Sequence, residues 1–198
     1  MNDLFVNSTF NFIKKNTNHT DYELLEIKYG IEGIYLTISK VIIILLLGYV
    51  FGYLKTIILT LLFFNILRFF AFGLHAKKSW QCLIISISQF NVLPYIFLHI
   101  SINKYLIILI SIIAIGSFIM FAPSDTEKRP LTNKKKRVIR KISSVIAGII
   151  FFVLALYFKS IRVPILCSLI IETIMINPLS YKLLGLKYNN YKNRDWLY

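Results

Sequence analysis

Cysteine and acidic side chains are the scarce residues of this chain. Cys82 and Cys167 are its two thiols, too few for the disulfide framework of a small secreted domain, so each needs its own explanation. His, Cys, Asp and Glu form no cluster with metal-site spacing, and no glycine-rich loop is placed to cradle a phosphate. No cofactor is therefore implied. The opening residues lack a basic stretch followed by an apolar one, so no cleavable signal peptide is expected and the mature protein is expected to start near Met1. Nine Asp and Glu stand against 23 Lys and Arg, a formal net charge of +14.

What the chain has in abundance is apolar surface. Of 198 residues 57% are apolar, and the mean hydropathy is +0.66, more than a globular core of this size requires. Apolar runs near 35–54, 56–72, 82–102, 105–122, 143–161 and 163–184 are each roughly 17–22 residues, the length a helix needs to cross a bilayer. The reading is an all-α integral membrane protein of about six transmembrane or re-entrant helices. Residues 1–30 mix Phe5, Phe10, Phe12, Ile13, Leu24, Leu25 and Ile27 with polar residues, as an amphipathic interfacial helix does. Residues 31–198 then form one transmembrane domain with a basic loop at 123–142.

The positive charge is distributed by side. The tight hairpins carry Lys55, Lys104, Lys159 and Arg162, whereas the remaining nineteen cations fall near the termini, in the gap around Lys77 and Lys78, and in the long loop. By the positive-inside rule both termini, the long loop and the 73–82 gap are cytoplasmic. The net charge is accounted for by topology, and no nucleic-acid partner is needed.

Between the second and third runs lies one polar gap, Arg68-Phe69-Phe70-Ala71-Phe72-Gly73-Leu74-His75-Ala76-Lys77-Lys78-Ser79-Trp80-Gln81-Cys82. A thiol with an imidazole nearby is a nucleophile with its base. On one unbroken helix positions 75 and 82 would be separated by about 10.5 Å of rise, too far to touch. A working dyad of His75 and Cys82 therefore needs a bend, for which Gly73 and Ser79 are the break points. With Ser79 as N-cap, Cys82 falls at the third helical position, where free N–H groups favour a thiolate and supply part of an oxyanion hole.

Other candidates carry competing bland readings. Arg68 either orients substrate or snorkels to the headgroups. Glu172, the one carboxylate inside an expected span, is a functional candidate or a structural ion-pair partner, with Arg68 or His75 across the bundle. Asp125 and Glu127 are alternative orienters of His75, or local counter-charges for Lys128 and Arg129. Cys167 reads as packing, far from Cys82; His19 and His99 read as interfacial. The basic loop is by default a topology signal and an anchor for anionic lipid.

Arg68-x4-Gly73-x-His75-x6-Cys82, followed after the fourth run by Ala122-Pro123-Ser124-Asp125-Thr126-Glu127-Lys128-Arg129-Pro130-Leu131, resembles the accessory gene regulator B family. The resemblance covers nearly the whole chain. It implies a membrane cysteine endopeptidase that matures a quorum-sensing propeptide through a thioester, with cyclisation to a thiolactone or lactone. It makes Cys82 the nucleophile and His75 the base, with Arg68 and Gly73 at the other motif positions. The implied substrate lies on the membrane by an amphipathic helix and presents an acidic tail to Lys134, Lys135, Lys136 and Arg137. A homodimer is a further candidate assembly. The competing class is a small peptide exporter or non-enzymatic scaffold in which His75 and Cys82 only pack.

Overall fold

The computed structural model describes residues 2–17, 20–74, 79–126 and 131–192. Among these the chain is helical, with an isolated parallel bridge between Phe72 and Ser124. Helix α1 spans Asn2–Asn16. Thr20 then caps α2, Asp21–Val50, in a capping box: its hydroxyl accepts from Glu23 N at 3.4 Å while Glu23 Oε2 accepts from Thr20 N at 2.8 Å. The segment expected at the interface thus divides at residues 17–20, and its second half runs unbroken into the first span. Gly30 and Gly33 do not stop it, because a helix interior tolerates glycine at a modest cost.

Helix α3 is Leu54–Ala71, and α4 is Ser79–Ile87. A π-helical turn at Ser88–Val92 joins α4 to α5, Leu93–His99; there Leu93 N donates to Ser88 O, five residues back. Helix α6 is Lys104–Phe121, α7 is Lys134–Tyr157, α8 is Lys159–Ile176 and α9 is Pro178–Leu183, with a 3-10 turn at Asn190–Lys192.

Among the described residues, five segments are long and apolar enough to cross a membrane: Gly30–Val50, Leu54–Ala71, Trp80–His99, Lys104–Phe121 and Lys134–Tyr157. Large apolar side chains face outward along them, such as Ile34, Ile38, Ile42 and Leu46 at four-residue spacing on α2, and Ile142, Ile146, Ile150 and Val153 on α7. Water would not support such a surface; lipid does. The protein is an all-α membrane protein.

The expected sixth span, 163–184, is placed differently. Helix α8 starts at Lys159, takes Pro164 inside it and ends at Ile176, where Asn177 caps α9 by accepting from Leu179 N at 2.9 Å. It is not among the five apolar spans, and Pro164–Leu169, Ile171, Glu172 and Ile176 are all buried. From Pro164 onward the helix is packed against protein, so it holds Glu172 away from the hydrocarbon, while exposed Lys159 and half-buried Arg162 lie at its start. The expected turn over 159–164 shrinks to Phe158, because Arg162 reaches back to the end of α7: its Nε donates to Ala155 O at 2.8 Å and its Nη2 to Leu156 O at 3.1 Å.

The expected basic loop at 123–142 also shortens. Asn133 Oδ1 accepts from Lys136 N at 3.1 Å, so α7 begins at Lys134 and most of the basic run lies on helix. The second span, whose Asn65 and Arg68 suggested a tilted or re-entrant segment, is an unbroken helix. Asn65 Nδ2 satisfies itself on Leu61 O at 2.7 Å, and Arg68 turns inward.

The core lies between α3, α6, α7 and α8, where Leu67, Phe118, Phe151, Ile165, Leu166 and Leu169 meet around small residues. Gly148 is one of these: a Cβ there would lie 3.0 Å from the Phe118 ring. Close helix packing through small residues is the usual means of association inside a bilayer. A second cluster of Ile44, Ile57, Phe90 and Ile171 ties α2 and the π-turn to the same bundle.

Candidate active site

Helix α3 ends because Phe72 and Gly73 leave helical space, at φ 61° and 122°. Three carbonyls and amides of this short stretch are then bonded across the bundle. Gly73 N donates to Ser124 O at 2.8 Å, Ser124 N to Ala71 O at 2.9 Å, and Leu74 N to Met175 O at 3.0 Å. Arg68 binds the same stretch from beneath: Nη1 donates to Phe72 O at 2.8 Å and Nη2 to Leu74 O at 2.6 Å. A guanidinium with two ends in a fixed fork suits this task, since it holds two carbonyls at a set separation. Arg68 therefore reads as a residue that fixes the backbone before His75, and it does not snorkel.

Gly73 is demanded by that clamp. A Cβ at this position would run into Arg68 Nη1 and come within 3.0 Å of Met175 O, at a φ that side chains rarely adopt. Glu172 completes the layer beneath. It is fully buried, with Oε2 at 4.0 Å from Arg68 Nη1, and among the described residues neither of its oxygens has a hydrogen-bond partner. Of its two expected partners, Arg68 is beside it; His75 lies outside the described residues, as do Lys77, Lys78, Glu127 and His19.

The turn after α6 forms the other wall. Ser124 Oγ donates to Ile176 O at 2.9 Å, and Tyr181 Oη to Ser124 O at 3.3 Å and Asp125 O at 3.2 Å. Burial pushes the Tyr181 hydroxyl well above the usual phenol range, so it remains a donor. Asp125 is occupied: its carboxylate accepts from Asn190 N at 3.0 Å, Tyr191 N at 2.9 Å and Leu131 N at 3.2 Å, with Arg137 Nη1 at 3.5 Å. Its visible work is to pin the C-terminal segment and the start of α7. Arg137 is held there as well, its guanidinium 3.4 Å over the Tyr191 ring, whereas Lys134, Lys135 and Lys136 are exposed.

Cys82 lies on the first turn of α4, half-buried, with Lys40 Nζ of α2 donating to Sγ at 3.1 Å. Ser79 is itself helical and so is not the N-cap, which places Cys82 fourth in α4, one position further in than expected. Cys167 is wholly buried within α8, in keeping with a packing role. Exposed His99 has Nδ1 at 2.8 Å from Tyr95 O, one turn back.

Between these walls is a cavity of about 270 Å³ lined by Asn65, Arg68, Phe69, Phe72, Gly73, Ser124 and Thr126. Arg140 of α7 closes one edge, donating to Phe69 O and lying 4.4 Å from the Phe72 ring centre. Sequence reasoning missed Lys40, Arg140, Tyr181 and Asn190. All four lie far along the chain from the gap, with no spacing to mark them. Ser124, by contrast, stands in the second motif and was open to being found there.

Residues 6–176 match the model of the family described as accessory gene regulator B. An AgrB-like protein of Clostridium acetobutylicum is 35% identical over 181 residues, covering 90% of this chain and 87% of its own. One from Listeria welshimeri is 33% identical, covering 86% and 85%. The accessory gene regulator protein B of Staphylococcus aureus is 28% identical, covering 86% of this chain and 91% of its own. No solved structure matches. The chain belongs to the accessory gene regulator B family.

Proposed function

We propose that this protein is a membrane cysteine endopeptidase that cleaves a quorum-sensing propeptide at the cytoplasmic face and promotes its cyclisation. Family membership gives it a part in accessory gene regulation through quorum sensing; the finer assignment rests on the site. The observation that carries it is the immobilised stretch Phe72–Leu74, bonded by Arg68, Ser124 and Met175 immediately before His75, in a chain whose next helix carries Cys82 in its first turn. Structural packing alone gives no reason to clamp three residues, two of them at positive φ, beside a histidine. Placing a general base within reach of a nucleophile does.

In this reading His75 takes the thiol proton, the Cys82 thiolate attacks a peptide carbonyl of the membrane-bound propeptide, and His75 returns the proton to the leaving amine. An acyl-thioester on Cys82 remains, carrying the N-terminal fragment. Attack by a Cys or Ser side chain of that fragment releases the enzyme thiol and closes a thiolactone or lactone. A site at the bilayer edge, poor in water, favours that ring closure over hydrolysis. The lipid bilayer and the propeptide are the partners; the exposed Lys134, Lys135 and Lys136 at the start of α7 supply a cationic rim for an acidic tail.

The test is reconstitution with the propeptide and weighing of the products. Cys82→Ser and His75→Ala should each abolish cleavage with membrane insertion retained, because dyad members act as a unit. Cys167→Ala should cleave nearly as the parent does. Cleavage by Cys82→Ala would remove the nucleophile assignment.

A further inference from the structure

Lys40 is the sole charged residue in the seventeen-residue stretch Ile34–Val50. An ammonium in such a stretch is costly unless it reaches the interface or meets a partner, so an unexpected cation within a span calls for a named partner. Here the partner is Cys82: Lys40 Nζ lies 3.1 Å from Sγ. Two features make this a built contact. Lys40 precedes Ile44 by one helical turn, and Ile44 is 2% exposed within the cluster that holds Phe90, Ile57 and Ile171, so the inward face of α2 aims Lys40 at α4. The same helix sends Ile38 and Ile42 outward to lipid, which keeps the rotation of α2 from being arbitrary.

We propose that Lys40 is the charge partner of the Cys82 thiolate, a catalytic residue on a helix remote in sequence from the motif that carries His75 and Cys82. The inference rests on Cys82 being the nucleophile. An ammonium against sulfur favours the anion and orients one of its lone pairs, which leaves the others for the substrate carbonyl. It also divides two tasks that a two-residue dyad would have to combine: His75 moves the proton, and Lys40 holds the charge that remains. After acylation the sulfur is neutral, and the ammonium, still within a few ångströms of the new carbonyl, is placed to hydrogen-bond the oxyanion formed when the thioester is attacked. Among the described residues Lys40 is the ionisable group against Sγ; on its own helix, Glu32 stands about 12 Å of rise earlier.

The experiment reads thiol reactivity apart from peptide processing. The full chain, purified in detergent, is treated with iodoacetamide at pH 7, and alkylation of Cys82 is followed by peptide mass spectrometry. Lys40→Met and Lys40→Gln should alkylate at least fivefold more slowly than the parent, Lys40→Arg should recover most of the rate, and the gap should narrow as the pH approaches 10. Propeptide cleavage should fall in the same order. Helicity and elution volume of each variant identify any that misfold; Met, Gln and Arg differ enough in bulk and polarity for charge and packing to be separated. Equal alkylation rates in the parent, Lys40→Met and Lys40→Gln would overturn the pairing, as would a loss that Lys40→Arg fails to restore. A loss confined to Lys77→Gln and Lys78→Gln would move the role to those residues. Failure of the nucleophile assignment looks different: Cys82→Ala would still cleave, whatever Lys40 does to the reactivity of the thiol.

Discussion

Gly73→Ala is the smallest perturbation that tests whether backbone geometry before His75 matters to the reaction. At φ 122° an alanine costs about 1–3 kcal/mol in backbone strain. Its Cβ would also collide with Arg68 Nη1 and sit 3.0 Å from Met175 O, a backbone atom that does not give way easily. Relief requires Arg68 to leave Phe72 O or Leu74 O, and a hydrogen bond from a charged donor is worth about 1.5–3 kcal/mol. Destabilisation of roughly 2–5 kcal/mol follows, together with a shift of the stretch that sets His75, and an ångström of misplacement costs about a hundredfold in rate. The assay pairs propeptide cleavage with thermal unfolding in detergent. Gly30→Ala, Gly33→Ala and Gly116→Ala serve as controls, since nothing lies within 4 Å of a Cβ at any of them. They should cleave normally and unfold at or slightly above the parental temperature, because alanine favours helix over glycine. Parental cleavage by Gly73→Ala would refute the claim that this geometry serves the chemistry.

Arg68→Lys should lose most activity, because one ammonium cannot span Phe72 O and Leu74 O; parental rates would show the fork to be unnecessary. Arg68→Met alone should destabilise by about 3–5 kcal/mol by leaving Glu172 unpaired, and Arg68→Met with Glu172→Leu should unfold later than the single variant; strictly additive losses in a double-mutant cycle would deny the coupling. Replacing Lys134, Lys135 and Lys136 by Gln should slow processing of an acidic-tailed substrate more than of a neutral one, with the difference fading at high salt, whereas Arg137→Gln should act on stability through Asp125 and Tyr191. A membrane-impermeant maleimide should label Cys82 in inverted vesicles and not in intact cells; labelling of intact cells would invert the proposed topology.

The sequence exposed what depends on local pattern. Apolar runs at bilayer length found the spans of α2, α3, α6 and the α4–α5 stack, because lipid-facing helices must be apolar over their full length. The same rule misjudged the sixth run: α8 is wrapped by protein, so its boundaries follow Arg162 on the α7 carbonyls and Asn177 at its end, neither of which is a hydropathy signal. Arg68 and Gly73 were visible as motif positions, but their interdependence was not, since it arises from one guanidinium filling the space that one absent Cβ leaves. Asp125 was legible as a carboxylate near the site, but its donors at Asn190 and Tyr191 were not, because they come from more than sixty residues away.

The pattern of what was hidden has a physical cause. Residues that perform chemistry on a bound peptide need one short segment in one unusual conformation, and a bilayer forbids such a segment unless protein satisfies its backbone. Phe72–Leu74 is therefore bonded to α3, to the turn after α6 and to the end of α8 at once. Each partner is a constraint from a different part of the chain, which is why Ser124, Met175 and Tyr181 surround a site whose motif is only fifteen residues long. Lys40 extends the same logic to charge. In a membrane-spanning helix a cation needs a partner, and the half-buried sulfur of Cys82, 3.1 Å from Lys40 Nζ, is that partner.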